Sequence, residues 1–233
     1  MNPLLLLLAI MPGLIISFAV FRVDKYEREP LVPLILCFVI GAVATVPAVA
    51  IERWTISGMG APPYNPGQSL LLAFGVLSLT EELVKFVLLL VLAYPYKFFN
   101  EPLDGIVYAV LIAMGFATWE NVAYADRFGL QTVLLRSLTA VPAHLTFAIV
   151  QGYFAGQAKF DPARQSRLLA YGLGLAVLLH GVYDLLILQN WSKWLVVLGT
   201  VAMYMSLFFC GSLIRHHLEH SPFRKEKQLP LDN

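Results

Sequence analysis

Thr80-Glu81-Glu82-Leu83-Val84-Lys85 stands inside an apolar run from about Ser69 to Tyr94, and that run decides the fold. A helix of about 20 residues, rising 1.5 Å per residue, crosses the hydrocarbon core of a bilayer. Three ionisable groups therefore fall near the middle of a membrane segment. Each costs at least ~2.5 kcal/mol there, even on the lenient insertion scale. The two adjacent carboxylates also repel one another. Glu81 and Lys85 are four apart, so they share a helix face and can pair, while Glu82 points about 100° away. A structural ion pair with a protonated glutamate would account for the triplet. Groups this costly within a bilayer more often serve chemistry or transport.

The rest of the chain agrees with a membrane setting. Of the 233 residues 58% are hydrophobic and 13% charged, against about a quarter charged in a soluble domain. The net charge of +1 offers no global basic field for nucleic acid. Cys37 and Cys210 both lie in apolar runs and read as small packing residues, not as a disulfide or a metal pair. Hydropathy predicts seven spans: Pro3–Phe21, Leu31–Ile51, Ser69–Tyr94, Leu103–Ala125, Leu130–Gly156, Leu168–Leu188 and Trp191–Ile214. The first has no small-residue cleavage site after it and reads as a span, not a signal peptide. The expected fold is all-α, a polytopic bundle of about seven transmembrane helices. It forms one domain over residues 1–214, with a polar cytoplasmic tail over 215–233.

Lysine and arginine set the orientation. The side that holds the N-terminus and the loops after spans two, four and six carries Arg53, Arg127 and Lys193. The other side carries eleven, among them Arg22, Lys25, Arg28, Lys97, Arg164, Arg215, Lys225 and Lys227. The positive-inside rule then puts the N-terminus outside and the C-terminus in the cytoplasm.

Further ionisable residues lie within spans. Phe116, Glu120 and Tyr124 follow one another at four-residue intervals and share a face, with Asn121 beside Glu120. His144 follows Pro142 in span five, and His180 and Asp184 are four apart in span six. Counted from the outer span ends, Glu81 and His144 are about 15–20 Å deep, His180 about 12 Å, Glu120 about 8 Å and Asp184 about 6 Å. All five lie in the outer half or near the midplane, which predicts one polar pocket open to the outside. A carboxylate there can take a proton from water and return it to a leaving amine. The histidines can bind metal or stabilise an oxyanion, and Asp184 can fix the tautomer of His180. Singly, each has a quieter reading: His144 as a packing residue, His180 with Asp184 as an interhelical hydrogen bond, Glu120-Asn121 as helix glue, Arg136 as a snorkelling or structurally paired cation. Gly152 and Gly156 form a GxxxG pair suited to close packing.

Glu81-Glu82-Leu-Val-Lys85, Phe116-Ala-Thr-Trp-Glu120-Asn121-Val-Ala-Tyr124, His144, and His180-Gly-Val-Tyr-Asp184 resemble, in this order, the motifs of the PrsW family of intramembrane proteases. That family lies within the superfamily of CAAX prenyl proteases and bacteriocin-processing enzymes. The match spans about Leu79 to Leu188. The resemblance implies a bacterial plasma-membrane protease that makes the site-1 cut, near the outer side, in a single-span substrate such as an anti-sigma factor. Glu81 is then the expected general base. Glu82, Glu120, His144 and His180 complete the catalytic set, and Lys85, Asn121, Tyr124 and Asp184 support it. One divalent metal, zinc first, would be held among Glu82, His144, His180 and Asp184, with a metal-free glutamate mechanism as the alternative. The CAAX branch differs, having an arginine one position beyond Lys85 and a histidine in place of Glu120, so its residue roles do not carry over. Two other functions remain open from sequence: a non-catalytic scaffold subunit of a protease complex, and a proton-coupled transporter.

Overall fold

A computed structural model describes residues 2–60, 62 and 64–224. The described residues form helices joined by turns and short loops, with no strand among them. In chain order the elements are α1 (Pro3–Val23), α2 (Leu31–Ser57), α3 (Pro66–Leu70), a π-helical segment (Leu71–Ser78), α4 (Leu79–Leu92), α5 (Pro102–Phe128), α6 (Leu130–Leu138), α7 (Ala140–Phe160), α8 (Gln165–Leu188) and α9 (Lys193–Glu219). A 3₁₀ turn, Pro222–Arg224, follows. Among the described residues six helical runs are long and apolar enough to cross a membrane, α6 with α7 counting as one. The run α3–π–α4 is the seventh expected span. Lys225, Lys227 and the rest of the tail after Arg224 lie outside the described residues.

Local chemistry explains the starts. Asn2 Oδ1 accepts from Leu4 N at the head of α1. Asn65 and Gln68 exchange backbone and side-chain bonds as a capping box at α3. Asp104 Oδ2 accepts from the backbone N–H groups of Asn100 and Glu101, which fixes the entry to α5 behind Pro102.

Three boundaries differ from expectation, and each difference bears on the site. The third span is not one uniform helix: its first half winds as a π-helix up to Ser78, so Glu81 and Glu82 fall in the first turn of α4. Such widened turns recur at functional sites because they re-aim the side chains that follow. The fifth span breaks at Thr139 into α6 and α7. Pro142 sits in the first turn of α7, where its missing N–H costs no hydrogen bond. His144 therefore lies one turn from a helix start, not 15–20 Å along an unbroken span. Finally, α2 continues past Ile51 to Ser57 and carries Glu52 into the bundle.

α5 runs through the centre, packed by α7, α2, α1 and α4, and is buried from Leu103 to Thr118. Small residues make this possible. A Cβ on Gly105 would collide with the backbone of Gly152 and Gly156, and one on Gly115 with the carbonyl of Phe38. The GxxxG pair is thus a packing seam. The outward faces are apolar, with Leu7, Leu14 and Phe18 on α1 and Val197, Val201 and Phe208 on α9 exposed, as lipid-facing surfaces require. Cys37 and Cys210 are buried and free.

At the end of the bundle away from the paired glutamates, the α1–α2 turn is held to α5 by carboxyl groups. The Tyr108 phenol donates to Glu29 Oε2, and Glu29 N donates to Asp24 Oδ2 at 3.1 Å. Burial pushes the carboxyls of Glu29 and Glu101 up to about 7. Their unfolded value is 4.5, so the native state binds more protons between these values. Their contribution to stability is complete below about pH 4.5 and is lost as the pH rises through 7. We expect the melting midpoint in detergent to fall between pH 6 and pH 8, and Glu29→Gln to flatten that slope. An equally steep slope in Glu29→Gln would remove Glu29 as its source.

Candidate active site

The site is built around the ammonium of Lys85. Its Nζ lies 2.8 Å from Glu82 Oε1, 3.1 Å from Glu81 Oε2 and 3.1 Å from His144 Nδ1. An ammonium has three protons, and these are its three acceptors. The stem places Nζ 4.4 Å from the centre of the Phe116 ring, adding a cation–π contact. The i,i+3 and i,i+4 spacings on α4 bring both glutamates to one lysine. All of these groups are buried, with Lys85 3% and Glu82 1% exposed.

The lysine contact has a consequence for His144. If Nδ1 accepts from Lys85, the ring proton is on Nε2, which is 2.9 Å from Glu120 Oε2. That carboxylate is also gripped by Arg136 Nη2 at 3.2 Å. Arg136 in turn lies 4.1 Å over the Tyr124 ring and donates from Nε to Asn121 Oδ1 at 2.9 Å. On the other side His180 is bracketed by carboxylates, Nδ1 2.9 Å from Glu82 Oε1 and Nε2 3.4 Å from Asp184 Oδ2. Phe147 stacks on the His180 ring at 4.7 Å. Gly181 admits Phe74 of the π-helical segment beside it, which seats α8 against the start of α4.

A cavity of about 250 Å³ opens onto this cluster. Glu81, Glu120, Tyr124, His144, His180 and Asp184 line it, together with Arg136 and Glu52. It lies at the end of the bundle where α2, α5 and α8 finish and α4 and α7 begin. The expected residues thus converge, from α4, α5, α7 and α8. Glu82 and Lys85 lie behind the wall, and Asn121 faces away, its amide nitrogen 3.5 Å from Ala9 O. Asn121 therefore orients Arg136. Sequence reading missed two wall residues. Arg136, read as a snorkelling or structurally paired cation, lines the cavity and pairs there with Glu120. Glu52 falls just past the expected end of span two at Ile51, yet it continues the buried stripe Cys37, Gly41, Thr45, Ala48 at helical spacing.

Two sets of donors are compact enough to hold a metal ion: Glu81, Glu120 and His144, and Glu81, Glu82 and His180. Within each, the ligand atoms lie within 4.8 Å of one another. Carboxylate and imidazole donors in this number suit zinc and similar divalent ions. Glu81, the expected general base, belongs to both sets; Asp184, an expected ligand, belongs to neither.

Fold and site together define a class: multi-pass membrane proteins with a buried carboxylate–imidazole centre that fits a divalent metal. Within it, this chain belongs to the PrsW family of intramembrane metalloproteases, which residues 29–211 match. It is 36% identical over 223 residues to the protease PrsW of Clostridioides difficile, covering 93% of this chain and 92% of that one. It is 32% identical to the protease PrsW of Geobacillus kaustophilus over 84% of this chain and 82% of that protein. For the protease PrsW of Bacillus subtilis the identity is 30%, over 80% and 85%. No solved structure matches the chain.

Proposed function

We propose that this protein is an endopeptidase that cuts a single-span membrane protein near its outer face, an anti-sigma factor being the substrate class. In this orientation the N-terminus is outside, residues 1–214 form the membrane domain, and 215–233 form a cytoplasmic tail. The observation that carries the proposal is the position of Glu81. It lines the cavity between two Glu/His donor sets, with one oxygen committed to Lys85. The other oxygen is left to receive a proton from water.

The chemistry then runs on this chain's own groups. Glu81 removes a proton as the water oxygen adds to the scissile carbonyl carbon. It returns that proton to the amine as the C–N bond breaks. His144 with Glu120, or His180 with Glu82, would hold a divalent ion, zinc being the best match to the donors. Such an ion, when bound, supplies Lewis acidity toward the carbonyl oxygen. Lys85 keeps Glu81 and Glu82 in register, and Arg136 stacked on Tyr124 does the same for Glu120.

The test is cleavage of a reconstituted single-span substrate, beside metal content by mass spectrometry. We expect about one divalent ion per chain, loss of cleavage on chelation and recovery with zinc. Undiminished cleavage by metal-free protein would leave a glutamate mechanism without metal. Failure to cut, with a tightly co-purifying protease, would favour the scaffold role instead.

A further inference from the structure

We propose that Glu52 selects the substrate, its carboxylate receiving a basic side chain from a residue next to the scissile bond. This rests on the protease function above. Glu52 comes from α2, which carries none of the motifs, yet it lines the same cavity as Glu81, Glu120, His144 and His180. It is 8% exposed, and its Oε1 is buried without a hydrogen-bond partner among the described residues. Its electrostatic neighbours are Glu81, Glu120, Lys85 and His180.

Every other acid in the cluster has a partner. Glu81 and Glu82 share Lys85, Glu120 has Arg136 and His144, and Asp184 faces His180. Glu52 belongs to neither donor set that could hold a metal. A buried acceptor without a donor is costly, so a donor from outside the chain gains more here than at any satisfied group. The charge balance says what kind of donor. Five carboxylates (Glu52, Glu81, Glu82, Glu120 and Asp184) face two permanent cations, Lys85 and Arg136. A lysine or arginine side chain supplies both the proton and the charge, whereas a backbone N–H supplies only the proton.

The probe is a single-span reporter protein that the wild-type enzyme cuts. Residues flanking its scissile bond are replaced one at a time by Lys, Leu or Glu. At one position the wild type is expected to prefer Lys over Leu by about tenfold in kcat/KM, as one charge-assisted hydrogen bond allows. Glu52→Gln should bring that ratio close to one, chiefly through KM, and Glu52→Lys should shift the preference toward Glu. Should Glu52→Lys not fold, the isosteric Gln variant still carries the test. A wild type without a Lys preference at any position overturns the proposal. So does a preference that survives in Glu52→Gln, even where overall activity falls. A wild type that cuts no reporter overturns the protease function itself, and this proposal with it.

Discussion

Glu81→Gln is expected to abolish cleavage while the bundle stays folded. The amide keeps the size of the carboxylate and can still accept from Lys85 Nζ, now 3.1 Å from Oε2. It cannot take a proton from water. General base catalysis contributes about 10²–10⁴-fold. We expect at least about a thousandfold fall in kcat on a reconstituted substrate, and a melting midpoint close to wild type. Activity within tenfold of wild type would remove Glu81 as the base and leave Glu120 as the next carboxylate on the cavity wall.

Lys85→Met should have the largest effect on stability. Methionine replaces the stem and keeps the contact with Phe116, but it leaves Glu81 and Glu82 buried without their shared cation. Removing one partner of a buried ion pair costs about 3–5 kcal/mol, because an uncompensated charge stays behind. The loss should appear as a lower melting midpoint and as lower yield of folded protein. His144 Nδ1 also loses its donor, so its tautomer is no longer set and activity should fall as well. Adding Glu82→Gln to Lys85→Met removes one of the stranded charges. The double variant should therefore recover part of the stability that Lys85→Met loses, the non-additivity expected of groups in one network. If the double variant is less stable by the sum of the two single losses, Lys85 is not the organising cation described above.

The helical class and the span count were legible because both are one-dimensional. Hydropathy windows of about 20 residues register the thickness of the bilayer, whatever the helices later pack against. The site residues were legible for a related reason: an ionisable group in an apolar run is conspicuous, and the spacing on one helix tells which groups share its face. Glu81 with Lys85, and His180 with Asp184, could be paired on that ground before any packing was known. Other features depended on neighbours. The break at Thr139 left no mark in hydropathy, since Leu134, Leu135 and Leu138 are apolar on both accounts. The π-helical winding before Ser78, where Phe74 packs against Gly181 of α8, likewise leaves no mark in hydropathy.

Sequence by itself determined that charged groups had to be hidden inside a bundle of helices, because the energy of a charge in hydrocarbon does not depend on which helix lies alongside. Only the tertiary structure decided which groups meet. It joined Lys85 to His144 across 59 residues, turned Asn121 away toward Ala9, and brought Glu52 from a motif-free helix to the cavity wall. Contacts of that kind depend on helix crossings set by close-packed residues such as Gly105 and Gly152, and a crossing is a property of two helices that neither sequence carries alone.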